Sequence, residues 1–402
     1  MGRHSKNQRS HCGGHRSAAG LRPKRAHAFV DHLGPNKSLR TNTRPGYRDI
    51  ELYTSYLGKV KTMVYDFGNG MAALQGFVMG LDEKPIYVKC IDASASRLNP
   101  QTQYTQEMLA IKNPTIISLA SNRANGETVE RLRSMGIKNT QIHGLLTNLN
   151  GVDILFMTQE FVHFMHDVLD LNNMDDGNLL ASVHNIRGLQ NAFFTGEHMI
   201  YGTGARDMLP MGAVDVCAHE LGHGITNTQA KLKYEGESGA ISEFVSDVFG
   251  AAFEFWLDRK YNQNADPDDD IICVPDFFVG EDIMKRSPYM RNMADPHLGT
   301  PPQPKKYGGK YWADPADLKR DHGGVHINSG VGNHTAYLLA TKIGIYDTCR
   351  LVFDMLKHLS PRSGYVDVVA GLRAEVDEKH SAHLEAALVA TGLAALGAPK
   401  SS

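Results

Sequence analysis

The sequence predicts an α+β fold of two lobes, strand-rich towards its N-terminus and helical towards its C-terminus, with a cleft between them. Two observations predict it. Up to about residue 92, short apolar runs are broken by Gly/Asn turns; from about residue 211 onward, apolar residues recur at helical spacing. The 402 residues suffice for one large or two moderate domains.

The first element is a basic leader, residues 1–48, with eleven Lys/Arg against the single acid Asp31; the rest of the chain is mildly acidic. It lacks the apolar run of a secretory signal. Its composition admits a transit-peptide or nucleic-acid reading, but a disordered leader is the simpler expectation, and no nucleic-acid partner is expected. Residues 61–67 (KTMVYDF) and 72–79 (AALQGFVM) flank FGNG as strand, turn and strand, and 86–92 (IYVKCID) reads as a further strand. Between 103 and 150 the pattern is mixed, with helical EMLAIKN and ETVERLRSMG and loops at 122–126 and 148–151. A helical stripe follows over 153–170 through Ile154, Met157, Phe161, Phe164, Met165 and Val168.

The N-terminal lobe thus spans 49–214, and a helical lobe spans 215–395 before a tail at 396–402. In that lobe 240–256 presents one apolar face, 261–276 with its DPDDD reads as a surface excursion, and helices return at 332–343, 347–358, 364–377 and 380–392. No run of about 18 apolar residues suggests a membrane span. Five scattered cysteines without C-x-x-C make neither a disulfide framework nor a Cys-based zinc site, and Cys217 reads as a buried small hydrophobe.

Chemistry concentrates at 218–226, AHELGHGIT. Glycines in a helix interior cost roughly 1 kcal/mol each against Ala, so something besides propensity shaped this stretch. His219 and His223 lie one turn apart and can reach one point, with Glu220 beside them free to act on water. Gly222 and Gly224 would let neighbouring segments come close. Alone the pair could be two helix-surface histidines, and a catalytic zinc needs a third ligand. Extending the motif to H-E-x-x-H-x-x-G-x-x-H fails, because Thr226 and Gln229 stand where a glycine and a histidine are required.

The next helix supplies a better donor. Glu243, Asp247 and Glu254 form one acidic strip on an otherwise apolar helix, which suggests deep packing where acids need partners. Glu243 can then ligate while Asp247 orients a ligating imidazole. A third stretch, DHGGVHINSG at 321–330, pairs His326 with Asp321 across a double-glycine turn, a combination suited to stabilising developing charge.

HELGH at 219–223, GESGAISEFVSD at 236–247, DHGGVHINSG at 321–330 and LQNAFFTGEHMIYG at 189–202 together resemble the thermolysin family of metallopeptidases, over roughly residues 152–392. The resemblance implies a two-lobed zincin of gluzincin type that hydrolyses peptide bonds. It implies zinc held by His219, His223 and Glu243, with Glu220 as general base and Asp247 supporting a histidine. Tyr234 and His326 would donate to the oxyanion, with Asp321 orienting His326. Asn191 and the Ala192 backbone would hold the substrate chain and Arg291 a substrate carbonyl. Asp215, Glu254, Asp276 and Glu281 match the family's calcium ligands, and oxygen donors suit that ion.

There are departures. Ser242 precedes Glu243 where the family commonly has Asn; Phe194 replaces the usual Trp; Phe278 stands where Glu is frequent; and 88–150 does not match the family's N-terminal β-region. Met211, Val216, Val279, Ile283 and Met290 fall near the family's leaving-side pocket, which implies cleavage before bulky apolar residues. The expected partner is a peptide or protein, and the expected state a monomer. The family implies secretion, yet without an evident signal a cytoplasmic enzyme with a narrow partner set is a second reading. A third, different in class, is a silent zincin fold used for binding.

Overall fold

A computed structural model describes residues 44–92, 114–119, 139–174, 180–186, 188–261 and 275–397, all within the unit Leu39–Ser402. The expected leader through residue 43, the helical patterns at 107–113 and 127–136, the loop at 122–126 and most of the DPDDD excursion lie outside these residues.

Strand β1 (Gly46–Thr54) pairs antiparallel with β2 (Gly58–Asp66), in register from Gly46 opposite Asp66 to Thr54 opposite Gly58. On β2, Val60, Thr62, Val64 and Asp66 are buried while Lys59 and Lys61 face outward, the period of two that a half-buried strand requires. β1 starts at Gly46, ahead of the boundary read at residue 49. The FGNG turn leads to β3 (Met71–Ala73) and β4 (Gln75–Met79). The expected single strand over 72–79 is therefore two. At Leu74 the chain changes sheets: its N–H donates to Thr115 O at 2.7 Å and its carbonyl accepts from Cys90 N–H at 2.8 Å.

β3 continues to β6 (Ile116–Ser118), giving one sheet in the order β1-β2-β3-β6. The second runs β4-β5-β7-β9-β8, from β5 (Pro85–Asp92), β7 (Leu180–Ile186), β8 (Ala192–Phe194) and β9 (Met199–Gly202). β5, β7 and β9 are parallel, and β8 closes the edge antiparallel to β9. Parallel neighbours need a long crossover, and α1 (Asn139–Phe164) lies between β5 and β7 in the chain and packs on both.

α1 overturns the loop expected at 148–151. Asn150 and Gly151 are poor helix formers, but the Asn150 side chain accepts the Gly212 N–H at 2.8 Å and its neighbours are buried, so tertiary contacts override propensity. Every residue from Leu149 to Val162 is buried, so that stretch of α1 is surrounded by protein on all sides. Beyond it Phe164, Met165 and Val168 stay buried while His163, His166 and Asp167 are partly or fully exposed, as the stripe read over 153–170 expects. The polar side chains of α1 pin the first sheet. Asp153 accepts from the Ser55 N–H at 2.7 Å and hydroxyl at 2.6 Å, and Gln159 accepts from Thr62 Oγ1 at 2.8 Å.

The helical half holds α2 (Val214–Gln229), α3 (Gly236–Tyr261), α4 (Asp321–Ile343), α5 (Ile345–Met355), α6 (Tyr365–Glu375) and α7 (Glu378–Ala390). α3 is central and packs against α2, α4 and α5. One apolar cluster runs from Leu52 and Val64 through Phe156 and Phe161 to Val245, Phe249 and Leu388. Each such side chain contributes about 1.5–3 kcal/mol on burial. Cys90, Cys217 and Cys349 are buried free thiols, as read for Cys217. Among the described residues, no helix is long and apolar enough to cross a membrane.

Candidate metal centre and active site

α2 and α3 approach closely where the chain has Gly222. A Cβ there would lie 3.0 Å from the Ser246 Cα and 3.1 Å from the Phe249 ring. That proximity sets the inward face of one helix against the acidic strip of the other. Nε2 of His219 lies 3.4 Å from Glu243 Oε2, and Nε2 of His223 lies 3.3 Å from Glu243 Oε1. These three side chains are a cluster able to hold a metal ion.

The outward ring nitrogens are held. His219 Nδ1 donates to Asp247 Oδ1 at 2.8 Å, and Asp247 also accepts from Arg291 Nη2 at 2.6 Å and Asn333 Nδ2 at 2.8 Å. His223 Nδ1 lies 2.9 Å from Ser242 Oγ and 3.2 Å from Ser246 Oγ. Held at Nδ1, both rings turn Nε2 towards Glu243.

The charge balance also asks for a cation. Burial opposes ionisation of Glu243, but His326 and His219 outweigh it and hold the carboxyl well below its usual range. Burial opposes protonation of His219 as well, yet Glu243 and Asp247 carry it up to about 10. Glu243 Oε2 is buried without a hydrogen-bond partner. Two imidazoles, one carboxylate and an unpartnered buried oxygen fit a divalent zinc with three protein ligands.

Glu220 sits beside the cluster, buried, with Oε2 unpartnered. Burial pushes its carboxyl above the usual range, while His219 and His223 pull it back. Tyr234 donates to Glu243 Oε1 at 2.5 Å and lies 2.9 Å from His326 Nε2. His326 is fixed by Asp321, which accepts from its Nδ1 at 2.6 Å and its backbone N–H at 2.9 Å. α4 begins with a left-handed stretch from Asp321 to Gly324, which folds the carboxylate back onto His326. A Cβ at Gly323 would lie 2.5 Å from Pro315 O, and one at Gly324 would lie 2.4 Å from the Ala313 Cβ. Both positive φ and close contact require glycine there.

Among the described strands β8 is the outermost of its sheet and lies next to α2; Asn191 immediately precedes it, and the Asn191 carbonyl accepts from Gly202 N–H at 3.0 Å. Arg291 is buried, with Nη2 committed to Asp247 and Nη1 4.0 Å from Glu243 Oε2. Of the four acids matched to calcium, Glu254 and Glu281 come together, joined by Asp282, which the sequence reading did not name. Burial raises both carboxyls, and Asp215 and Asp276 stand near enough to add to the rise. The sequence reading also missed Ser246 and Asn333; Asn333 carries no motif, and only the packing of α4 on α3 puts it against Asp247.

Two sheets with a buried crossover helix, followed by a helical bundle whose HExxH helix meets a glutamate from the next helix, define a zincin of gluzincin type. The chain belongs to the thermolysin metallopeptidase family: residues 92–227 match the model of its catalytic domain and 230–396 that of its alpha-helical domain. It is 32% identical over 252 residues to neutral protease NprE of Bacillus pumilus, covering 60% of this chain and 77% of that one. It is 33% identical over 253 residues to bacillolysin of Bacillus amyloliquefaciens, covering 60% and 44%, and 39% over 163 residues to a thermolysin of Alicyclobacillus acidocaldarius, covering 40% and 26%. The chain thus spans less than half the length of those last two relatives. The solved precursor of protealysin, a metalloproteinase from Serratia proteamaculans, aligns with a TM-score of 0.51 at 27% identity, over 61% of this chain and 79% of that one.

Proposed function

We propose that this chain is a zinc-dependent metalloendopeptidase. The observation that carries the reading is the convergence of both Nε2 atoms on one carboxylate whose buried Oε2 has no protein partner. His219, His223 and Glu243 would hold zinc, which supplies an activated water and polarises the scissile carbonyl. An extended substrate would lie along the β8 edge at Asn191 and Ala192 by strand addition. Arg291 Nη1 would meet a substrate carbonyl while Nη2 stays on Asp247.

Glu220 is the general base. Its raised carboxyl and unpartnered oxygen suit it to take a proton from the attacking water and pass it to the leaving amine. Tyr234 O–H and His326 Nε2–H donate to the oxyanion. Glu243 is the largest influence raising the His326 imidazole above its ordinary value, against the opposing effect of burial, and the Asp321 bond at Nδ1 adds to it and fixes the ring with Nε2 beside the Tyr234 hydroxyl. The silent-fold reading has no specific observation in its favour.

The test is hydrolysis of casein, lost with a zinc chelator and restored by zinc. Glu220→Gln should lose at least about 10³-fold in kcat while keeping one zinc per chain. Near-normal turnover by that variant would remove the assigned base. Tyr234→Phe and His326→Ala should each lower kcat by roughly 10²-fold or more with little change in KM, as expected for donors used in the transition state.

Preference for cleavage before bulky apolar residues is part of this proposal. Met211, Val216, Val279 and Ile283 are core-packed, and half-buried Met290 sits beside Arg291. A peptide library cut mainly before charged residues would overturn it. We also propose calcium at Glu254, Glu281 and Asp282, where Glu281 Oε2 is buried without a partner.

A further inference from the structure

The two ligating imidazoles are supported in different ways. His219 leans on a carboxylate, Asp247, whereas His223 has only hydroxyls at its Nδ1: Ser242 Oγ at 2.9 Å and Ser246 Oγ at 3.2 Å. Ser242 stands directly before the ligand Glu243. We propose that Ser242 and Thr226 form a one-way hydroxyl relay that positions the His223 ring for the metal. The proposal rests on zinc occupying the His219–His223–Glu243 cluster.

The sense of the relay follows from proton counting. With Nε2 offering its lone pair, Nδ1 must carry the hydrogen and donate, so Ser242 Oγ accepts. The Ser242 hydrogen then needs an acceptor of its own, and Thr226 Oγ1 lies 3.1 Å away. Thr226 passes its hydrogen to the His223 carbonyl at 3.0 Å. A carbonyl can only accept, so the loop closes in one direction. Ser242 and Thr226 are 5% and 2% exposed, so bulk water is no ready substitute partner. Thr226 lies one turn beyond His223 on α2 while Ser242 is on α3, so one loop ties the ring to both helices. Breaking any link leaves a hydroxyl free to rotate and to present its own hydrogen to Nδ1, which favours the tautomer that cannot bind metal at Nε2.

Thr226→Val tests the relay because it keeps shape and removes one hydroxyl, which is both the acceptor for Ser242 and the donor to the His223 carbonyl. Zinc affinity is measured by chelator competition on the full chain, and the His223 Nδ1–H resonance is followed in zinc-loaded, ¹⁵N-histidine-labelled protein. Thr226→Val should bind zinc about 10-fold more weakly, the lower end for loss of an outer partner, with the His223 signal shifted and the His219 signal in place. Thr226→Ser should restore both. Ser242→Ala reads the same link from its other side and should weaken zinc at least as much, so misfolding of one variant leaves the question answerable. Wild-type affinity in both Thr226→Val and Ser242→Ala, or no rescue by Ser, would overturn the relay. A wild-type chain that takes up no zinc would instead overturn the functional reading beneath it.

Discussion

At the scale of single residues, the sharpest consequence outside the metal centre concerns Asp153. It is buried on α1 with Ser55 as its donor, and burial pushes its carboxyl up to about 7, the Ser55 bonds pulling the other way. An unfolded aspartate titrates near 3.9. Between these values the folded chain binds the extra proton, so stability falls as pH rises from about 4 to about 7, by a total of about 4 kcal/mol. Asp153→Asn keeps the shape and removes the charge. Denaturant titrations at pH 5 and pH 7.5 should show wild type losing stability relative to the variant across that interval, and parallel curves would refute the buried-charge account. Local spacing makes some residues legible in a sequence and leaves others silent. His219, Glu220 and His223 share one helical turn, so their geometry is implicit in their numbers. The partners of Asp153 and Asn333 sit 98 and 86 positions away, and no periodicity connects them.

At the scale of elements, α2 resolves why a helix would tolerate two glycines, and the two are not equivalent. A Cβ at Gly222 would meet the Ser246 backbone at 3.0 Å and the Phe249 ring at 3.1 Å, both on the rigid α3. A Cβ at Gly224 would meet the Met174 Sδ at 2.8 Å, the far end of a flexible side chain. Ala improves helix propensity by roughly 1 kcal/mol at either place, but overpacking costs about 1–3 kcal/mol where neighbours cannot yield. Gly222→Ala should therefore lower stability and weaken zinc by forcing α2 from α3, while Gly224→Ala should be neutral or mildly stabilising. Equal effects on thermal unfolding would remove this explanation. The acidic strip on α3 was legible as a pattern but not as a division of labour. Glu243 and Glu254 share a face yet lie 11 residues apart, roughly 16 Å along the axis, so they serve separate clusters. α1 shows the opposite failure: from Leu149 to Val162 it is buried on every side, with no exposed face for a pattern to reveal, and its Asn-Gly pair reads as a turn until Gly212 is seen against it.

At the scale of the whole molecule, the order of strands followed by helices was visible in hydrophobic periodicity, but the join between them was not. It runs through the second acidic cluster. Asp215 opens α2, Glu254 lies on α3, Glu281 and Asp282 follow the short strand Phe278–Val279, and half-buried Tyr56 from the β1–β2 turn has its hydroxyl pushed up by desolvation and then by Asp282, Asp153 and Asp215. Without a cation these acids resist ionisation together: burial and mutual repulsion raise Asp215 to about 6 and Glu281 to about 10, and raise Glu254 well above its usual range. Raised carboxyl pKa values mean that the folded, cation-free chain holds protons the unfolded chain has released, so its stability falls as pH climbs from about 4.5 towards 10. A calcium ion would compete with those protons and remove the penalty. Calcium should therefore raise Tm more at pH 8 than at pH 5, where protons already neutralise the cluster. Free calcium at 100 times its Kd corresponds to about 2.7 kcal/mol of added stability. Glu281→Gln should blunt the shift, and limited proteolysis in EGTA should cut first near the β1–β2 turn, where the strand-bearing half meets the helices. Identical unfolding at pH 8 with calcium and with EGTA would remove calcium from this cluster, leaving the candidate metal site on α2 and α3 a separate question.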